Sequence, residues 1–335
     1  MLFCRTALPL WIILSALASR LAAQQLPYQT QFRQIYAYIN PAALNSDYFL
    51  YEYNLSINAA QRLQWIAQPQ TPRTTLLSLE YIHRNQGYGG SGFNLLGGAI
   101  LLQDRVGPLS TSGGYARIAA LTGKDPYLGT FSVGFSVGAA NYRILHDRIV
   151  WERPDDPGIP LEDLSVTQPE IGMGVYYFKR IRRGRLRGDN FYAGLSIPQL
   201  WGANVLIPSG SFPFNQTPLT RVPHLYLTGG WYHFFNEDSF LELSLWAKYV
   251  ANVRTNIHLT GRFQPMRTFW VGGGFNINGL AHLETGLNLP GFLFEDGAVK
   301  IGYAFDYNIS AFELPLGSSH ELHLSFLLDA GRRRR

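Results

Sequence analysis

The sequence contains very little cysteine and little charge. Cys4 is the single cysteine, and Asp, Glu, Lys and Arg together make up 15% of the 335 residues. The body of the chain therefore offers no thiol for a disulfide or for a cysteine nucleophile. It also lacks any run approaching 18 apolar residues and any amphipathic helical stretch between residues 47 and 328. These absences argue against transmembrane helices.

The strongest pattern that is present has a period of two. Residues 131–139 read FSVGFSVGA, so that the apolar side chains and the small or polar ones occupy alternate positions. Successive side chains of a β-strand point to opposite faces, and the segment therefore predicts a strand with one apolar face. Aromatic residues are abundant, at 14% of the chain. Alternating strands with many aromatics are typical of outer-membrane barrels.

Similar segments recur along the chain and give about fourteen strand candidates. The clearest of them lie at 47–58, 131–139, 241–249, 255–263, 281–289, 299–307 and 321–328. Weaker candidates lie near 74–83, 94–103, 113–121, 170–178, 190–197, 223–234 and 268–277. We predict an all-β fold, an antiparallel transmembrane β-barrel of about 14 strands that follows an N-terminal signal peptide.

The polar face of the strands carries charged residues, which need water or partners. They are Glu52, Glu242, Lys248, Arg262, Glu284, Lys300 and Asp306. In a soluble sandwich this face would be the outer surface, whereas in a membrane barrel it would line the lumen. Strands of about ten residues and an even strand count favour the barrel.

The chain divides into four predicted parts. Residues 1–23 have the charge and apolar core of a secretory signal, with cleavage expected after Ala23. We expect an N-terminal periplasmic segment at 24–46, the outer-membrane barrel at 47–328 and a basic C-terminal tail at 329–335. Without the signal and the terminal arginines, residues 24–331 have a net charge of about −1. The overall charge of +5 therefore does not predict a nucleic-acid-binding surface.

Loop lengths predict the orientation of the barrel. The two longest connections, near 143–168 and 198–222, follow odd-numbered strands, and outer loops of such barrels are usually the longer ones. The basic turn at 179–187 follows an even-numbered strand, which places it on the periplasmic side. Its cations are candidates for docking an acidic partner, although a solvated loop is the simpler interpretation. They are Lys179, Arg180, Arg182, Arg183, Arg185 and Arg187.

Three short motifs match signatures of nucleotide binding, a serine nucleophile and a metal site, but the surrounding sequence does not fit any of these functions. Residues 87–92 contain the spacing G-x-G-x-x-G, but a strand-like stretch follows where nucleotide binding needs a helix. Ser136 stands in a G-x-S-x-G sequence in the middle of an alternating strand, where no nucleophile elbow can form. His320 and His323 are three positions apart on a strand and so face opposite ways. We therefore predict no catalytic residue, no cofactor and no metal ion.

A series of short motifs resembles the PorP/SprF family of Bacteroidetes outer-membrane proteins. The motifs are, in order, Gln31-Phe32 with Tyr38 to Ala42, Arg62-Leu63-Gln64-Trp65, Gly98 to Pro108, Phe191 to Pro198, His224-Leu225-Tyr226, Ile301 to Asp306 and His320-Glu321-Leu322. Seven motifs in one order over nearly the whole mature chain form a specific signal. Structural roles are expected for Asn40, Pro41, Gln64, Trp65, Asp104, Gly107, Pro108, Asp306, His320 and Glu321.

The resemblance implies a function as well as a fold. It implies a non-enzymatic outer-membrane component of the type IX secretion and gliding motility apparatus, which supports export or surface anchoring of cargo proteins. The implied partners are membrane lipid, periplasmic and outer-membrane components of that machinery, and large surface adhesins, without nucleic acid. Two alternatives stay open: an outer-membrane pore or transporter for small or hydrophobic solutes, and an outer-membrane enzyme acting through Ser136.

Overall fold

The structure is a computed structural model of the full chain. It describes residues 29–67, 70–84, 93–122, 127–149, 162–181, 188–200, 204–208, 216–220, 222–251, 253–309 and 317–330. The predicted signal peptide, residues 1–23, lies outside the described residues.

Fourteen strands form a closed antiparallel barrel, in which each strand pairs with its neighbours in the chain. They are β1 (Leu55–Leu63), β2 (Arg73–His83), β3 (Asn94–Val106), β4 (Leu109–Thr122), β5 (Thr130–Ile144), β6 (Leu164–Arg180), β7 (Asn190–Ile197), β10 (His224–Phe234), β11 (Phe240–Val250), β12 (Asn256–Met266), β13 (Phe269–Asn276), β14 (Leu280–Pro290), β15 (Gly297–Asn308) and β16 (Ser319–Leu328). A separate hairpin of β8 (Asn204–Pro208) and β9 (Gln216–Thr220) interrupts the connection between β7 and β10.

Pairing of the first strand with the last closes the barrel. β1 and β16 run antiparallel over their whole length, from Leu55 opposite Leu328 to Leu63 opposite His320. Closure leaves no strand edge, which is the condition for a sheet to cross a bilayer. The predicted fold class and strand number are confirmed.

Side chains alternate between the outside and the interior, as the sequence pattern predicts. On β5, Phe135 and Val137 are 50% and 59% exposed, whereas Ser132 is fully buried. On β14, Leu283 is 67% exposed, while Glu284 is 2% exposed. An apolar outer band around a polar interior is the arrangement of a barrel in lipid.

Residues ahead of β1 form short helices, which corrects the predicted first strand at 47–58. A 3₁₀ turn (Phe32–Ile35) leads into α1 (Tyr36–Ile39), and α2 (Ser46–Tyr51) follows. The Asn45 side chain accepts a hydrogen bond from the Asp47 amide at 3.1 Å, which caps α2. The barrel therefore begins at Leu55 rather than at residue 47. None of the described helices is long and apolar enough to cross a membrane.

The two ends of the barrel differ in their connections. We call the end where β1 begins and β16 finishes the proximal end, and the opposite one the distal end. The two longest connections, 145–163 and 198–223, both lie at the distal end. The first of them is shorter than the predicted 143–168, because the ladder between β5 and β6 continues to Ile144 opposite Leu164. The described residues on either side of the basic turn, Arg180 at the end of β6 and Asn190 at the start of β7, lie at the proximal end.

The last described residues belong to the proximal rim. The Ala330 amide donates to Asn54 Oδ1 at 2.6 Å, and Asn54 Nδ2 donates to the Ala330 carbonyl at 2.8 Å. The predicted tail at 329–335 is therefore anchored at its first two residues. Residues 331–335 lie outside the described part.

Candidate functional site in the barrel lumen

The barrel interior holds the chain's own N-terminal segment, by which we mean residues 29–54. Thr30 lies near the distal end, beside Asp306 and Glu321, and Asn54 lies at the proximal end, beside Leu328. The segment therefore runs through the whole lumen before β1 begins. Residues 24–46 were predicted to form an N-terminal periplasmic segment, and the structure instead places the described ones, 29–46, inside the barrel. Their burial explains this, since the side chain of Phe32 and those of α1 are almost fully enclosed.

Four residues near the distal end form a buried group that we call the Arg62 cluster: Thr30, Arg62, Asp306 and Glu321. The Arg62 guanidinium lies 2.5 Å from Asp306 Oδ2 and 3.3 Å from Glu321 Oε2, and each of these side chains is 1% exposed. The Thr30 amide donates to Glu321 at 2.7 Å, and the Thr30 hydroxyl donates to Asp306 at 2.7 Å. The N-terminal segment, β1, β15 and β16 thus meet at one ionic centre.

A second buried group, the Arg33 cluster, lies deeper in the lumen and consists of Arg33, Glu242, Arg262 and Glu284. Arg33 forms an ion pair with Glu284 and lies 3.5 Å from Glu242 Oε2. Arg262 reaches the same Glu242 oxygen at 2.8 Å. All four side chains are at most 3% exposed. Two arginines and two carboxylates balance each other there, as buried charges require.

Hydrogen bonds from a tyrosine pair extend the Arg33 cluster toward β7. The Tyr36 hydroxyl donates to the Tyr192 hydroxyl at 2.8 Å, and Tyr192 donates to Glu242 Oε1 at 3.1 Å. Both rings are buried. The carboxylate of Glu242 is therefore contacted by two arginines through ion pairs and by Tyr192 through a hydrogen bond.

The turn after α1 is held to the wall of β4 and β6. Asn40 Nδ2 donates to the Val175 carbonyl at 3.0 Å, and Asn40 Oδ1 accepts from the Ala42 amide at 2.9 Å. Arg117 of β4 donates to the carbonyls of Asn40, Pro41 and Ala43 at 3.3, 3.2 and 2.9 Å. Arg117 is itself paired with Glu80 at 2.8 Å. The side chain of Asn40 and the carbonyls around Pro41 thus bind the segment to the barrel wall.

Contacts at the proximal end hold α2. Asp47 is paired with Lys300 of β15, and both side chains are buried. The ring of Phe49 stacks on that of Phe178, with ring centres 3.5 Å apart. The Tyr51 hydroxyl accepts a hydrogen bond from Gln264 at 2.8 Å. The segment is therefore attached to the barrel wall from the distal to the proximal end.

The two described members of the predicted docking group have different roles. Lys179 is exposed near the proximal rim. Arg180 instead donates to the Phe49 carbonyl at 2.7 Å, and its guanidinium lies 5.5 Å from the centre of the Tyr127 ring. Arg180 thus supports the N-terminal segment. The remaining candidates, Arg182, Arg183, Arg185 and Arg187, lie outside the described residues.

The other family-motif residues shape turns at the distal end. Gln64 and Trp65 follow β1, where the Trp65 amide donates to Ser319 Oγ at 3.3 Å. Asp104 accepts a hydrogen bond from Thr74 at 2.6 Å. Gly107 has φ +58°, which a residue without a side chain adopts readily, and Gly107 and Pro108 alone connect β3 to β4.

The motifs that suggested chemistry show no catalytic arrangement in the described part of the chain. Ser136 lies on the lumen face of β5, between Phe135 and Val137 on the outer face. His320 lies on the outer face, 2.7 Å from the Tyr303 hydroxyl, whereas His323 is buried in the lumen. Residues 87–92 lie outside the described residues. Among the described residues, no three His, Cys, Asp or Glu side chains come together as a metal site.

Six of the seven predicted lumen charges are buried in the interior, and Glu52 is the exception. Glu242, Lys248, Arg262, Glu284, Lys300 and Asp306 are at most 8% exposed. Glu52 ends α2 with φ +65° and is exposed. Sequence reasoning missed Arg33, Asp47, Arg62 and Arg117 as interior charges. A usable signal existed for Arg62, which shares the inward alternation of Asn58 and Ala60.

The closed barrel has an apolar outer face and encloses its ion pairs. This is the fold of an outer-membrane β-barrel protein. The model of the family described as type IX secretion system membrane protein PorP/SprF matches residues 21–326. The chain belongs to this family. No curated protein matches the sequence.

Several solved structures share the fold at low sequence identity. A TodX deltaS2S3 mutant monoaromatic hydrocarbon channel superposes with a TM-score of 0.50 at 11% identity, covering 88% of this chain and 94% of that one. The Pseudomonas putida toluene transporter TodX gives 0.47 at 10% identity, covering 91% and 95%. A Pseudomonas aeruginosa FadL homologue gives 0.46 at 8% identity, covering 82% and 89%. At such identities the likeness concerns the fold alone.

Proposed function

We propose that this protein is a non-enzymatic outer-membrane component of the type IX secretion and gliding motility apparatus. In this role it supports export or surface anchoring of cargo proteins and docks to periplasmic partners. The observation that carries the proposal is the family match over residues 21–326. The closed barrel supports it further, because its fold is that of outer-membrane proteins and its lumen is occupied by residues 29–54 of the chain itself.

A deletion strain tests the general role. We expect loss of the gene to reduce secretion, gliding or the display of surface adhesins, and expression of the full chain to restore them. Copurification in mild detergent should recover periplasmic components of the secretion machinery. Normal secretion, gliding and adhesin display after deletion would contradict the proposal.

The alternative is a pore or transporter for small or hydrophobic solutes. Channels for monoaromatic hydrocarbons appear among the structures that share the fold, which is the observation in its favour. Against it stand the buried ion pairs along the lumen, which leave a polar and filled interior. Uptake of labelled toluene by proteoliposomes would distinguish the two functions, since a secretion component is expected to give no uptake above empty liposomes.

The proposed orientation places the proximal end in the periplasm and the long distal connections outside the cell. Glu237 is exposed in the proximal turn between β10 and β11, and Asn278 is exposed in the distal turn between β13 and β14. The single cysteine, Cys4, lies in the expected signal peptide, and an introduced cysteine is therefore the one thiol expected in the mature chain. We expect a membrane-impermeant maleimide to label Asn278→Cys on intact cells and Glu237→Cys only after permeabilisation. The reverse pattern would place the barrel the other way round.

We propose that the basic turn at 179–187 docks the periplasmic partner. Arg180 is excluded from the docking residues, because it donates a hydrogen bond to the Phe49 carbonyl. The triple variant Lys179→Glu, Arg182→Glu and Arg183→Glu should lower copurification of an acidic periplasmic partner roughly tenfold, because reversed charges repel such a surface. Arg143→Glu is the matched control, since Arg143 is 53% exposed and lies on the distal part of β5. Equal recovery of the partner with both variants would refute docking through this turn.

A further inference from the structure

The N-terminal segment occupies the space through which a solute would pass. It enters near the distal end at Thr30 and leaves at the proximal end at Asn54, with α1 and α2 between them. Barrels with around this many strands enclose more space than their inward side chains alone fill. In this barrel, residues 29–54 occupy part of that additional space.

The segment is attached by charged groups as well as by apolar packing. Arg33 is the cation that it contributes to the Arg33 cluster, where it faces Glu242 and Glu284. Phe32, next to it, packs against Trp246 with ring centres 5.4 Å apart. Removal of one partner from a buried ion pair leaves an uncompensated charge, which is strongly unfavourable. Such a charge is relieved when water reaches it, and displacement of the segment would let water in.

We propose that residues 29–54 form an internal plug that closes the barrel to ions, and that the pairing of Arg33 with Glu242 and Glu284 holds the plug in its closed position. The two carboxylates belong to β11 and β14, on the barrel wall, while Arg33 belongs to the plug. Displacement of Arg33 exposes these acids to water and opens a path along a wall that already carries charged side chains. The inference is independent of the proposed role in secretion.

The plug is tested by measuring the conductance of the purified full-length mature protein. The protein is inserted into planar bilayers of phosphatidylcholine, with potassium chloride solution on both sides. The native chain is expected to give no steady current. Arg33→Glu places a third acid beside Glu242 and Glu284, and we expect it to give frequent openings and at least a tenfold higher mean current. The double variant Arg33→Glu with Glu284→Arg restores the opposite charges, and its current should return close to the native level.

Arg143→Glu serves as the control for charge reversal outside the lumen. Arg143 is half exposed, and its contact with Asp163 is long, at 3.9 Å. The Arg143→Glu variant should therefore conduct no more current than the native protein. A steady open current from the native protein would overturn the proposal even if the Arg33→Glu variant failed to fold. A folded Arg33→Glu barrel, identified by its heat-dependent mobility on electrophoresis, that is as silent as the native one would also overturn it.

Discussion

Replacing Arg62 with alanine is expected to destabilise the folded barrel by about 3–5 kcal/mol, the usual effect of removing one partner from a buried ion pair. Arg62 is 1% exposed and lies between Asp306 and Glu321, which have no access to water. Its loss leaves two carboxylates in the lumen whose remaining donors, among the described residues, are the amides of Thr30 and Gln31 and the Thr30 hydroxyl. The midpoint of unfolding in urea, followed by electrophoretic mobility, measures the effect.

Two controls separate charge from packing at this position. Arg143→Ala removes an arginine from an exposed pair, and exposed pairs contribute about 0–1 kcal/mol. The triple variant Arg62→Met, Asp306→Asn and Glu321→Gln removes the charges together while keeping most of the volume, and should regain much of the lost stability. If the triple variant unfolds as early as Arg62→Ala, the cause is lost packing of the arginine stem rather than unpaired carboxylates.

The strands were predictable because each has one face in an apolar environment and one in a polar interior. At β5 the alternation of large apolar with small residues specifies both the strand and its orientation, and Phe135 and Ser132 lie on the predicted faces. At β14 the same alternation predicted that Glu284 faces the lumen. This alternation involves only residues that are adjacent in the sequence, and each strand can therefore be predicted without knowledge of the others.

The predicted start of the barrel at residue 47 was wrong, because aromatic residues at alternate positions do not by themselves distinguish a strand from a short enclosed helix. Phe49, Tyr51 and Tyr53 alternate as a strand would, but Phe49 and Tyr51 belong to α2 and Tyr53 lies beyond its end. The local helix signal was Asn45 as a cap with Asp47 in the first turn. An enclosed segment buries residues on every side, and so its sequence loses the single apolar face that would have separated it from a strand.

The partners within the lumen could not be read from the sequence. Arg62 and Glu321 are 259 positions apart, and they meet because β1 closes the barrel on β16 in a register that places Arg62 opposite Glu321. Arg33 meets Glu284 only because a segment outside the sheet passes through its interior. The family motifs contained part of this information, since Gln31, Arg62, Asp306 and Glu321 belong to four separate motifs and converge at one end of the lumen. These separate motifs therefore supply one interior cluster of the barrel.

Gly134→Val is expected to disturb the N-terminal segment, because Gly134 of β5 lies directly against its backbone. A Cβ at Gly134 would lie 2.6 Å from the Pro41 carbonyl oxygen and 2.7 Å from the Ala42 Cα. These are backbone atoms, and Arg117 holds the Pro41 carbonyl from another side at 3.2 Å. A side-chain rotation cannot relieve these contacts. Overpacking of this kind destabilises by about 1–3 kcal/mol, and more where backbone must move.

The same substitution on the lipid face provides the matched control for Gly134→Val. A Cβ at Gly97 of β3 meets nothing within 4 Å, and a β-branched side chain suits a strand. We expect Gly97→Val to unfold in urea at the native midpoint or slightly above it, and Gly134→Val to unfold clearly earlier. Limited proteolysis should cut Gly134→Val within residues 29–54 while the strands stay intact, because the collision acts on the segment before it acts on the sheet. Equal midpoints and equal resistance to protease would mean that the backbone at Pro41 and Ala42 does not lie against β5.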